Sequence, residues 1–113
     1  MKKDGGNPLG KVASVRQERW KIADLFPAEY NPRKQLRPGD DDYERLKRSI
    51  QTFGYVDPII INSDGTVIGG HQRLTVLQDL GYTEADVAVV SLSKNDEKAL
   101  NVALNKISGE WDE

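Results

Sequence analysis

A chain of 113 residues, 37% hydrophobic and 30% charged, has the size and composition of one globular domain with its own core. It contains no cysteine, which excludes disulfides, thiolate metal sites and cysteine nucleophiles and fits the reducing cytoplasm. Its single histidine argues against a His-cluster metal site. No stretch approaches the roughly 20 apolar residues that cross a bilayer, and the net charge of −2 is unevenly spread: residues 1–50 hold 12 Lys/Arg against 8 Asp/Glu, and residues 51–113 hold 4 against 10. The basic half suits either a phosphate-bearing partner or a solvated surface.

Residues 1–17 are polar, rich in Gly and Lys and without periodicity, and are expected to form a flexible leader. Trp20 and Ile22 alternate with Lys21, which predicts a strand over 18–23, and residues 24–27 read as a short turn. Asn31-Pro32-Arg33 signals a loop, because proline holds the residue before it extended; Arg33, Lys34 and Arg37 crowd it with positive charge. Asp41 and Glu44 resemble a capping box. Tyr43, Leu46, Ile50 and Phe53 then recur at helical spacing up to Gly54, predicting a helix over 42–53 with those four residues buried.

Residues 58–80 organise the rest. Ile59, Ile60 and Ile61 form a β-branched run, Asp64-Gly65 reads as a two-residue hairpin turn, and Val67 and Ile68 resume the extended chain. Gly69-Gly70 stops it, and Leu74, Val76, Leu77 and Leu80 give the apolar pattern of a helix. A strand, two glycines and a helix start leave the first helical amides outside the helix's own ladder, at the positive end of its dipole. His71, Gln72 and Arg73 stand at this candidate anion site. Val87, Val89 and Val90 predict another strand. Ser93 and Asp96 make a second cap, and Leu100, Ala103, Leu104 and Ile107 predict a helix over 94–107. The order β-α-β-β-α-β-α implies a compact α+β domain, a small mixed sheet covered by about three helices. Trp111 close to the chain end suggests that residues 109–113 begin a linker that continues in a longer protein.

Several spaced blocks, N-P-R at 31–33, S-I-x-x-F-G at 49–54, P-I-I-I at 58–61 and G-G-H-Q-R-L at 69–74, resemble the amino-terminal domain of the ParB/sulfiredoxin superfamily over about residues 18–107. The domain is expected over 18–108. The tail from Ala99 looks most like phage-type members in which this domain precedes a DNA methyltransferase. The resemblance implies a nucleotide site at the corner, for CTP or ATP with Mg²⁺, with nucleotide or DNA as partner and a homodimer as an assembly. In partition proteins the segment reads G-E-R-R and holds the CTP triphosphate; Gly70 and Arg73 match its first and last residues, while His71 and Gln72 replace the Glu and the first Arg. In sulfiredoxins it reads G-G-C-H-R; Gly69, Gly70 and Arg73 match, and His71 stands where the cysteine would be. The family's magnesium-holding acid precedes an Asn on the last helix; with Asn105 as that Asn, Leu104 takes the acid's place. The resemblance puts Arg33, Lys34 and Asn105 near phosphates, and Asp57 and Pro58 on the base and ribose side of the cleft.

Each feature also has a plainer reading. Gly69-Gly70 is also what a tight strand-to-helix connection needs. Arg73, unfavourable against the dipole in a first turn, calls for an anionic partner that is either a ligand or one of the chain's own carboxylates. Asn105 reads as polar-side. Three functions follow from this: a phosphate-binding module serving a DNA-modifying or DNA-binding protein, an NTPase or nuclease, or a structural interaction domain. A metal-dependent hydrolase needs clustered carboxylates, and the corner has only Asp57 and Asp64 near it in sequence.

Overall fold

The computed structural model describes residues 14–30 and 37–111, the stretch 106–111 as backbone only. Residues 1–13, residues 31–36 with Arg33 and Lys34, and residues 112–113 lie outside this description. The chain folds into strands β1 (Arg16–Lys21), β2 (Phe26–Pro27), β3 (Ile59–Asn62), β4 (Thr66–Gly69) and β5 (Glu84–Val90), with helices α1 (Asp41–Phe53), α2 (His71–Asp79) and α3 (Lys94–Trp111). The strands form one sheet in the order β1-β5-β3-β4-β2. β1 is antiparallel to β5, β5 parallel to β3, β3 antiparallel to β4, and β4 parallel to β2. This is the expected α+β domain with a mixed sheet and three helices.

The sheet is sandwiched. Ile59, Ile61, Val67, Val87 and Val89 join Tyr43 and Ile50 of α1 and Leu74, Val76 and Leu77 of α2 in one buried cluster. Side chains alternate across a strand, so Ile60 and Asn62 face the other way. There they meet α3: a Cβ on Gly69 would lie 3.1 Å from Leu104 and 3.7 Å from the Ile60 side chain, and Asn62 bonds to Glu97. Tyr43 Oη donates to Asp79 at 2.6 Å and ties α1 to the end of α2, and this carboxylate pushes the phenol up to about 12.

α3 buries a polar face. The expected stripe 100-103-104-107 is rotated: Glu97 and Asn101 are 1% and 0% exposed, Leu100 and Leu104 are half-buried, and Ala103 is exposed. Asn105 is half-buried too and donates to Asn101, rather than lying on the polar side. The cause is on the sheet. The β3–β4 register shifts between Ile60 and Ile61, which leaves Ile68 without a partner on β3, and Asn101 Nδ2 takes the Ile68 carbonyl at 2.9 Å. Asn62 Nδ2 donates to Leu92 O and to Glu97, while its Oδ1 accepts from the Ser63 and Leu92 amides. Polar groups on α3 satisfy what an apolar stripe would leave unmet.

Other boundaries moved as well. The strand near Trp20 starts at Arg16, inside the expected leader, and Ile22 begins a 3₁₀ turn. Residues 26–27 are a short strand rather than a turn. The hairpin has three residues, 63–65, because β3 ends at Asn62; Gly65 takes φ +95° beneath Asp24 O, where a Cβ would sit at 2.7 Å. Asp40, not Asp41, precedes α1. Phe53, expected in the core, is 75% exposed, as the last turn of α1 after Ile50 has no described element packed over it.

Burial alone raises a carboxyl pKa, but bonds from Asn62, Tyr30 and Lys94 outweigh it and hold Glu97 below its ordinary 4.5. A depressed folded value means that the stability it contributes is complete above 4.5 and is lost as pH falls through the folded value. Glu97→Gln is expected to cost about 1.5–3 kcal/mol near neutral pH, as for a charged hydrogen-bond acceptor. Urea unfolding across a pH series is expected to show the wild type losing stability below 4.5 more steeply than the variant. Parallel profiles would contradict the assignment.

Candidate functional site

β4 delivers the chain to the corner and Gly70 turns it. Gly70 has φ +96° and precedes α2; its carbonyl accepts from Leu74 N at 2.9 Å. The amides of His71, Gln72 and Arg73 therefore stand outside the helix's own i→i−4 ladder, at its positive end. Both glycines are also required by the protein's own packing. A Cβ at 69 would press on Leu104 at 3.1 Å. A Cβ at 70 would press on the backbone of Ile59 at 3.2 Å and on Arg73 Nη2 at 2.9 Å.

The groups around this corner come from four stretches of the chain. His71 Nε2 accepts from the Ala28 amide at 3.3 Å, which joins the corner to the segment after β2 and leaves the imidazole proton of this neutral tautomer on Nδ1. Gln72 lies half-buried in the same turn. Arg73 folds back over Gly70: Nη2 donates to Pro58 O at 3.3 Å, Nη1 lies 3.2 Å from Asp57 Oδ2, and Nε is buried without a hydrogen-bond partner. Asp57 and Pro58 thus share the site with Arg73. Asn105 approaches from below, through Asn101 to the carbonyl of Ile68 and beside Leu104 under Gly69. Arg33 and Lys34 lie outside the described residues. No group of three His, Asp or Glu suited to a metal ion occurs among the described residues.

The sequence did not disclose Glu97 or the space next to it. A cavity of about 360 Å³ opens between the segment after β2 and the start of α3, with Phe26, Ala28, Tyr30, Thr66, Lys94 and Glu97 in its wall. Ala28 belongs to this wall and to the His71 contact, so cavity and corner adjoin. Tyr30 Oη donates a short bond to Glu97, and burial, with that carboxylate beside it, raises the phenol. Lys94 bridges Glu97 at 3.0 Å and Asp64 at 2.7 Å, which lowers Asp64 to about 2. Lys98 Nζ sits 5.7 Å from the Tyr30 ring centre. The available signal was Glu97 and Asn101 at i and i+4 with Leu104 at i+7, a helix face that becomes interpretable once the sheet is seen to offer hydrogen-bond partners.

A mixed sheet that turns through two glycines into a helix start, with helices on both faces, places the chain among small α+β domains. The family model of the ParB N-terminal domain matches residues 9–106, and the chain belongs to that family. An uncharacterized protein, ORF326b, of Acidianus two-tailed virus is 31% identical over 64 residues, 57% of this chain and 20% of its own. The ParB-like nuclease domain-containing protein YnaK of Escherichia coli (strain K12) is 27% identical over 77 residues, 68% of this chain and 85% of its own. Among solved structures, the chromosome-partitioning protein ParB from Caulobacter crescentus, complexed with CTP-gamma-S, superposes with TM-score 0.67 at 22% identity, over 80% of this chain and 52% of that one. A Pnob8-like ParB-N domain gives 0.66 at 21%, over 80% and 36%. The chain thus spans a fifth of the viral relative and between about a third and a half of these structures; at such identities the superpositions establish the fold.

Gly70→Ala is expected to destabilise twice over, by about 1–2 kcal/mol for the left-handed backbone and by about 1–3 kcal/mol for overpacking. Gly39 has φ +98° with open space around it, so Gly39→Ala carries the first cost alone. Urea midpoints of the two variants check this, and equal losses would show that the Gly70 contacts relax freely.

Proposed function

We propose that this chain is a phosphate-binding module that takes a nucleoside triphosphate, CTP in the first instance, or a nucleic-acid phosphate at the start of α2. The phosphates meet the amides of residues 71–73, flanked by His71 and Arg73. Asp57 and Pro58 rim one side, and the cavity beyond Ala28 falls at the lower end of the range of small-molecule sites, roughly 300–1,000 Å³. The observation that carries the reading is Arg73 itself, a guanidinium held in the first turn of a helix whose dipole favours an anion there. The CTP-gamma-S complex of the Caulobacter protein supports the choice of nucleotide. In the parent protein the module serves as an amino-terminal regulatory or specificity domain of a cytoplasmic DNA-modifying protein, followed by a methyltransferase or helical domain, with dimerisation and DNA contact as further properties. The loop with Arg33 and Lys34 adds phosphate contacts, and Mg²⁺ enters with the nucleotide.

Nuclease or NTPase activity is the second reading, favoured by the name of the Escherichia coli relative. Titration calorimetry with Mg²⁺-CTP, Mg²⁺-ATP and tripolyphosphate tests the first. Binding to the wild type is expected to weaken about 10–100-fold in Arg73→Ala, the loss of a hydrogen bond to a charged group. No heat at millimolar ligand would refute it. Phosphate release or DNA cleavage lost in His71→Ala or Arg73→Ala would establish the second.

A further inference from the structure

We propose that Asp57 is a resident competitor for Arg73, a tethered carboxylate that an incoming phosphate must displace, and that it sets how strong an anion the corner admits. This rests on the phosphate-site reading above. The ion pair is asymmetric. The Arg73 side chain is 22% exposed, packed over Gly70 and held by Pro58 O, whereas the Asp57 side chain is 75% exposed. Water can receive Asp57 as it leaves; the arginine is kept by its surroundings. Asp57 also precedes Pro58, which confines its backbone to extended conformations and keeps the carboxylate within reach.

A tethered group competes at an effective concentration in the millimolar range without leaving the molecule. A weak monoanion gains too little at the corner to overcome it. A polyphosphate that also meets the helix amides gains more. The resting pair is incomplete as well, because Arg73 Nε is buried without a partner. An unmet buried donor is a cost, and it is relieved when Asp57 leaves and a ligand oxygen or water reaches the guanidinium in its place. Arg73 is thus parked against a provisional anion and not finished as a structural salt bridge.

The test is a double-mutant cycle read by calorimetry with tripolyphosphate, on wild type, Asp57→Asn, Arg73→Ala and the double variant. Asp57→Asn is expected to bind about fivefold tighter than wild type, the worth of a partly exposed ion pair. In the Arg73→Ala background the same change is expected to have no effect, because the competition acts through the guanidinium. Tightening that persists without Arg73 would mean simple through-space repulsion and would overturn the proposal. Weaker binding by Asp57→Asn would make Asp57 an orienting residue and would also overturn it, leaving the phosphate site intact. Binding by none of the four proteins would remove the site and the competitor together. A folding equilibrium constant for Asp57→Asn, from urea unfolding, that falls by no more than the same fivefold excludes a folding artefact.

Discussion

A buried carboxylate holds this domain together. Glu97 accepts from Tyr30 on the segment after β2, from Asn62 at the end of β3 and from Lys94 in its own helix, so one side chain joins three stretches far apart in sequence. Desolvating a charge is expensive, and it is tolerated here because both carboxylate oxygens accept hydrogen bonds, Oε1 from Asn62 and Lys94 and Oε2 from Tyr30. Asn62 adds three further bonds and fastens the hairpin to the link between β5 and α3. Asn101 then closes the gap that the β3–β4 irregularity leaves at Ile68. The hydrophobic core lies on the other face, between the sheet and α1 and α2. One face supplies apolar burial and the other supplies geometric definition.

That definition reaches the corner. α3 is set in register by Glu97 and Asn101, and the same helix brings Leu104 under Gly69 and Asn105 alongside. Tyr30, at the end of the first described stretch, is tied to α3 by its bond to Glu97. His71 reaches the same segment through Ala28. The phosphate-binding reading therefore draws on parts of the chain that the polar layer positions, and the cost of burying Glu97 has a counterpart in a shaped site.

The two glycines carry more than one demand. Gly69 makes room for Leu104, and Gly70 makes room for Ile59 and Arg73 while taking a backbone conformation that residues with a Cβ adopt at a cost. A ligand is not needed to explain either. Arg73 differs: its presence at a positive helix end and its unmet Nε are not explained by packing. Of the two partners that the sequence left open for it, a ligand or an internal carboxylate, the fold provides the second in Asp57.

The sequence by itself determined the elements that depend on local chemistry. The β-branched run at 59–61, the glycine at 65, the double glycine at 69–70 and the apolar spacing of α1 and α2 all act within a few residues, and their structures follow. It also carried enough spaced identity to reveal the ParB-like fold and the corner. Only the tertiary structure decided which face of α3 is buried, because that depends on an unpaired carbonyl at Ile68 and on the side chain of Asn62, both distant in sequence. For the same reason Phe53 left the core and Asp57 met Arg73: helical spacing identifies an apolar stripe, but the partner that covers each position is set by chain segments brought together in space.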